Sequence, residues 1–273
     1  MTKAAMSGAT TSGRSWSPPP FIKNPWLRWG IISSSILYLI LAIASVNIDP
    51  ARIARGLERG RSLFQAFLQP DFFTRGSDIV SGVVESLWMT VVATAIGVFI
   101  SIPVGLGAAR NMVPLPIYLV CRLLVALSRT FQEVIIAILF VVMVGFGPLA
   151  GVLTLAFGSL GFFSKLLAED IEEIDSSQVD AIRSTGASWL QTIAFGVFPQ
   201  VLPRMVGLSL YRFDINLREA SVIGIVGAGG IGSTLNTSLQ RYDYELSSAI
   251  ILVIIALVMA TELTSSWIRR RLQ

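Results

Sequence analysis

Apolar runs of roughly membrane-spanning length recur along this chain, separated by short polar stretches, and they predict helices that cross a bilayer. Six such runs cover about 30–47, 85–109, 130–146, 147–167, 203–226 and 247–268. The predicted fold is therefore all-α, a polytopic membrane protein with six transmembrane helices. Residues 114–129, PLPIYLVCRLLVALSR, are apolar but interrupted by Arg122 and closed by Arg129, too short to span. They read as an elbow helix lying along the membrane interface. In the segment after the first run, Ile53, Leu57, Phe64 and Leu68 recur at helical spacing with arginines between them. That pattern fits an amphipathic helix on the outer membrane face, or a solvated loop helix. Residues 1–28 form a polar tail ending its first part in Pro18-Pro19-Pro20, too long a leader for a cleaved signal peptide. The expected division is then 1–28 tail, 29–84 first span and outer loop, 85–268 core with an inner loop at 168–202, and 269–273 end.

Composition agrees with that pattern. Only 14% of the 273 residues are charged, against about 25% in a soluble domain. The chain has no histidine and one cysteine, Cys121, which leaves no histidine-based catalysis, no histidine metal site, no cysteine cluster and no internal disulfide. No catalytic residue and no metal ligand is assigned. The net charge of +4 is explained by anchoring arginines without invoking nucleic acid.

Charge also sets the expected orientation. With the N-terminus inside, inner segments hold 13 basic residues: Lys3, Arg14, Lys23, Arg28, Arg110, Arg122, Arg129, Lys165, Arg183, Arg204, Arg269, Arg270 and Arg271. Outer segments hold 6: Arg52, Arg55, Arg59, Arg61, Arg75 and Arg241. The bias puts both termini in the cytoplasm.

The longest inner loop opens with the acids Glu169, Asp170, Glu172, Glu173 and Asp175 and continues VDAIRSTGASWLQTIAFGVFPQVLP. Ser177 is the expected cap of a short helix over 178–185. Gly186 breaks it, a further turn or two follows over 187–196, and Pro199 and Pro203 precede the fifth span. Val179, Ile182 and Trp189 give this small pair an apolar face. The stretch Asp180-Ala181-Ile182, Gly186-Ala187, then Phe198-Pro199 and Leu202-Pro203, resembles the Glu-Ala-Ala…Gly signature of permease subunits of bacterial binding-protein-dependent ABC importers, with Asp for Glu and Ile for the second Ala. YRFDINLREASVIGIVGAGGIG (211–232), RTFQE (129–133) and VGFGPLAGVLTLAFGSL (144–160) are similar to the phosphonate/phosphite branch, and methionine importers share the later glycine-rich part. The resemblance covers about residues 85–268.

It implies an architecture like the methionine importers, in a bacterial inner membrane. Asp180, Ala181, Ile182, Thr185, Gly186 and Ala187 would form the coupling helix that docks on a cytoplasmic ATPase. The implied partners are two ATPase subunits, a second copy of the permease, an extracytoplasmic substrate-binding protein and the lipid bilayer, with no nucleic acid. ATP and Mg would be bound by the ATPase, and no cofactor by this chain, which has no G-x-x-x-x-G-K-[ST]. No internal duplication is visible, so a homodimer is the simplest pairing.

Within the fifth span lie Arg212, Asp214, Arg218 and Glu219. Four lipid-facing charges would cost roughly 10 kcal/mol, so they face protein or water. Arg212 and Glu219 share one helix face, and Asp214 and Arg218 pair at i,i+4 on nearly the opposite one. They either neutralise one another and pin neighbouring helices, the favoured reading, or line a pathway for an oxyanion, which arginine suits by bidentate hydrogen bonding. Asn216 and Ser221 add polar groups, and Gln132 and Glu133 are further pathway candidates whose simpler explanation is hydration at a helix end. Gly227-Ala228-Gly229-Gly230-Ile231-Gly232 fits a dinucleotide fingerprint but lacks its strand and its acidic residue, and reads as close helix packing with a break at the outer end of the fifth span. The function expected is ATP-driven import of phosphonate- or phosphite-type oxyanions, with an ion-coupled secondary transporter or channel for a small anion as the alternative.

Overall fold

The computed structural model describes residues 24–45 and 50–272, so most of the predicted tail lies outside the described residues. Among the described residues every regular element is helical. Contacts divide the chain into two units, 1–57 and 58–273. In the first, α1 (Pro25–Ser45) is 21 residues of apolar sequence with no buried residue, long enough to cross a membrane. Then comes α2 (Pro50–Phe67), which continues into the second unit.

The second unit is built on α3 (Gly76–Gly107) and α6 (Pro148–Glu172). Small residues let these two approach closely. A side chain on Gly97 would overlap Ser159, and one on Gly105 would meet Leu167 at 2.9 Å. Ser164 donates to the Ser101 carbonyl at 3.2 Å across the same seam. Close packing of small residues, with hydroxyls bonded to backbone, is what association in lipid requires.

Between them in the chain, α4 (Leu115–Thr130) is a helix over the segment read as an elbow. It starts where Pro114 and Pro116 fix extended and then helical backbone. The next helix departs from expectation. Only 12 residues long, α5 (Glu133–Val144) rises about 18 Å, too short to span. It is set 94° from α4 by a break of two extended residues, Phe131 and Gln132. Among the described residues five helices are thus long and apolar enough to cross, or six if this bent pair is counted as one span.

The inner loop is also shorter than 168–202. The run Glu169 to Glu172 belongs to α6, and helix resumes at Trp189. Between them α7 (Ser176–Ser184) stands alone. Then α8 (Trp189–Thr192), a wider π turn (Ile193–Val197) and α9 (Phe198–Gly224) form one continuous rod. Pro199 has no N–H to offer the carbonyl four residues back, and the widened turn accommodates it, with the Phe198 N–H reaching Ile193.

After α9 the chain reverses through Gly227, Gly229 and Gly230, whose φ values of 95°, 83° and 71° suit glycine. The glycine turn leads into a further helix, α10 (Gly230–Gln240), followed by α11 (Tyr244–Leu272). A side chain on Gly232 would overlap the Ser221 carbonyl, so the close packing expected of the glycine-rich run is present. A helix, not a strand, precedes it.

Candidate functional site

Two places in the second unit gather the residues singled out by the sequence. One is the α7–α8 loop. Val179 is buried at its base with Ile171, Val197 and Val201, so α7 rides on the ends of α6 and α9. Asp175 caps α7, not Ser177: its Oδ1 accepts from the Ser177 N–H at 2.9 Å and the Ser177 hydroxyl at 2.7 Å. Those hydrogen bonds, the hydroxyl's first, hold the Asp175 carboxyl below the ordinary aspartate value. Along the outer face Asp180 and Ala181 are exposed, Asp180 with a loose 3.8 Å pair to Arg183. Ile182 is half-buried, and the Thr185 hydroxyl donates to its carbonyl at 2.7 Å. Gly186 turns the chain at φ 81° with open space around it. Ala187 is half-buried, and Ser188 then starts α8 with a capping box closed by Gln191. Trp189 is half-exposed, its indole N–H donating to the Met112 carbonyl at 3.2 Å, and Leu190 and Phe195 are exposed beside it. The result is a small projection of helix and aromatic surface on rigid membrane helices.

The other place is the centre of α9. Arg212 is almost wholly buried, its side chain 4% exposed. Its Nε donates to the Ser159 hydroxyl at 2.9 Å, and one terminal nitrogen reaches Glu133 at 2.9 Å and Glu219 at 3.3 Å. The guanidinium lies over the Phe162 ring at 5.5 Å. Asn216, fully buried, donates to the Thr94 hydroxyl at 2.8 Å and to Ser159 at 3.0 Å. One network thus joins α3, α5, α6 and α9. Glu133 is an ion-pair partner at the start of α5, where the sequence had suggested hydration of a helix end. Gln132, beside it, is exposed.

On the opposite face Asp214 accepts from Arg218 at 3.4 Å and from Thr261 of α11 at 3.4 Å. The expected Arg212–Glu219 and Asp214–Arg218 pairs are both present. Their settings differ sharply, for the Arg218 side chain is 57% exposed. It belongs to a stripe of exposed residues at helical spacing: Arg204, Tyr211, Arg218, Val222 and Ile225. Ser221 is buried where α9 meets Gly232, away from that stripe. Ser159, Phe162, Thr94 and Thr261 were not foreseen. The small-residue run Gly158-Ser159…Gly161 was the available signal, since it marks a face where another helix comes close.

A third feature sits where α9 ends. Glu85 and Ser86 of α3 accept from the N–H groups of Gly230 and Ile231 at 3.0 and 2.8 Å, capping α10. The Gly147 N–H donates to the Gly227 carbonyl at 3.0 Å, tying the start of α6 to the glycine turn. Beside them a cavity of about 450 Å³ is lined by Glu85, Phe146, Ser233, Asn236 and Thr237.

The family described as binding-protein-dependent transport system inner membrane component matches residues 101–273. The phosphate-import permease protein PhnE of Mycolicibacterium smegmatis is 39% identical over 90% of this chain, which spans 46% of that relative's length. The phosphite transport system permease protein PtxC of Stutzerimonas stutzeri is 37% identical over 90% of each chain. In fold, a structure of inward-facing conformations of the MetNI methionine ABC transporter superposes with a TM-score of 0.62, covering 71% of this chain and 96% of that one at 24% identity.

Proposed function

The chain belongs to the binding-protein-dependent transport system inner membrane components, and we propose that it is the transmembrane subunit of an ATP-driven importer for phosphonate- and phosphite-type oxyanions. The observation that carries the substrate class is the near full-length match to a phosphite transport permease, joined by a phosphate-import permease. Phosphonate, phosphite and phosphate are all tetrahedral phosphorus oxyanions, which arginine binds well.

In this reading the α7–α8 projection, with Asp180, Ala181, Ile182, Thr185, Gly186 and Ala187, docks on a cytoplasmic ATPase that supplies ATP and Mg. Because Val179 packs on the ends of α6 and α9, movement of the ATPase moves those spans as rigid bodies, switching access from one side to the other. Two ATPases and two copies of this chain make the working unit, and an extracytoplasmic binding protein delivers substrate. Both termini are cytoplasmic, in a bacterial inner membrane. The functional units are the tail (1–28), the first span with its outer helix (29–84) and the core (85–268), closed by 269–273.

Arg218, together with Asp214 on the same face, lines the pathway. Arg212, Asn216 and Glu133 hold the helices in register, Ser221 belongs to the packing of α9 on α10, and the exposed Gln132 stands at the margin of the pathway. An ion-coupled carrier is the competing reading, favoured by charges within the membrane. It gives the exposed α7 loop no task.

Uptake of labelled phosphonate and phosphite into proteoliposomes holding this chain, its co-purified ATPase and the binding protein decides between them. ATP-dependent accumulation that survives collapse of ion gradients is expected. Accumulation driven by an ion gradient, with no ATPase recovered, would overturn the proposal.

A further inference from the structure

We propose that α2 is an anionic-phospholipid-binding helix, with its apolar face in the membrane surface and its arginines on lipid phosphates. At 100° per residue, Leu63, Phe67, Ile53, Phe64, Leu57 and Leu68 fall within an arc of about 140°. Four of them are open: Ile53, Leu57, Phe64 and Leu68 are 52%, 70%, 71% and 73% exposed. Ala66, on the other side of the helix, is buried. The protein therefore covers one side of α2 and leaves its most apolar side unpartnered.

Charge says what belongs there. Arg52 and Arg59 flank one edge of the apolar arc and Arg61 the other, with Arg55 behind, while Glu58 is the single acid between residues 50 and 67. An apolar face bordered by arginines suits the boundary between acyl chains and phosphates, where each cation adds attraction to anionic lipid.

The C-terminal end of α2 sets its level. There the Ser248 hydroxyl donates to the Ala66 carbonyl at 3.0 Å, and just beyond the helix the Asp71 N–H donates to the Glu245 carbonyl at 3.3 Å. Ser248 and Glu245 both lie in the first turns of α11, a candidate span. That end of α2 is thus tied to the start of a membrane helix, which is where the bilayer surface lies.

The test uses the full-length protein in vesicles of phosphatidylcholine, with and without phosphatidylglycerol. A nitroxide is placed at Phe64→Cys or, on the polar side, at Ser62→Cys, in a Cys121→Ser background. The label at 64 is expected to meet lipid-dissolved oxygen and be shielded from an aqueous nickel chelate, with the label at 62 showing the reverse. The contrast should grow with phosphatidylglycerol. In parallel, phosphatidylglycerol retained through detergent purification should be enriched at least about threefold over bulk, falling toward one in the R55Q/R59Q/R61Q variant. That second arm keeps the native cysteine, so it stands even if the Cys121→Ser background inserts poorly. Equal nickel access at both positions would overturn the proposal, as would unchanged lipid enrichment in the arginine variant. So would a label at 64 that is shielded only when the binding protein is added, which would make α2 a protein-docking surface.

Discussion

Arg212 and Arg218 lie six residues apart on one helix in different surroundings, and the proposed function gives them different tasks. Arg212 has two carboxylates, a hydroxyl and an aromatic face around it and almost no exposure. Removing it leaves Glu133 and Glu219 facing each other without their cation, which for a buried pair costs about 3–5 kcal/mol. Arg212→Gln should therefore lower the melting temperature of the detergent-solubilised protein markedly, and adding Glu133→Gln should recover part of the loss. An unchanged melting curve with uptake abolished would instead make Arg212 a substrate ligand. Arg218 has one long contact and an open side chain. Arg218→Gln should leave the melting curve within about 0.5 kcal/mol of wild type and reduce oxyanion uptake by about tenfold or more, the worth of one lost charge-assisted bond. Arg218→Lys should restore only part, because a point charge lacks the bidentate fork. If neutralising Arg218 leaves uptake intact, the pathway runs elsewhere.

The α7 loop concentrates its sensitivity in two backbone devices. Gly186 sits at φ 81°, where any side chain is strained although space is free. Gly186→Val should uncouple ATP hydrolysis from uptake while membrane insertion and assembly, judged by gel filtration, stay normal. Asp175 caps α7 as a carboxylate, and hydrogen bonds hold its ionisation below the usual range. A depressed carboxyl stabilises the fold above its unfolded value, and that contribution is lost as pH falls through the lowered folded value. Asp175→Ala should speed amide exchange in α7 at neutral pH, and the gap from wild type should close in acid. A gap independent of pH would mean that the carboxylate is not the cap. Much of this loop was legible in the sequence because its signals are local, a glycine and two prolines within thirty residues, although Asp175, Ser176 and Ser177 are all good cap residues, so the sequence points to Ser177 where the structure uses Asp175. Other features were hidden because their causes are distant. Glu133 and Arg212 are separated by 79 positions, so nothing near Glu133 announces its partner. The apolar run at 130–146 has the length of a span, yet hydropathy carries no sign of the 94° bend that shortens α5. GIGSTLNTSLQ is a poor helix by propensity, and α10 forms because Glu85 and Ser86 satisfy its first donors from another helix.

At the scale of the whole molecule, the proposed dimer gives the exposed stripe on α9 a neighbour. Arg204, Tyr211, Arg218, Val222 and Ile225 recur on one side of a membrane helix, and an arginine such as Arg218 in lipid costs about 2.5–3.5 kcal/mol on insertion scales. Water or another protein chain resolves that cost, and a second copy facing across a shared pathway supplies both. The stripes of two copies would then meet near their two-fold axis, where each residue faces its own counterpart. Val222→Cys should therefore cross-link to itself with a short thiol-bridging reagent in native membranes. Val80→Cys on α3, 62% exposed but off the stripe, should not. Substrate that lines the same pathway should slow the Val222→Cys reaction. Cross-linking at Val80→Cys but not at Val222→Cys would place the contact between copies on another face, and a single copy purified with its ATPase in active form would end the dimer proposal altogether.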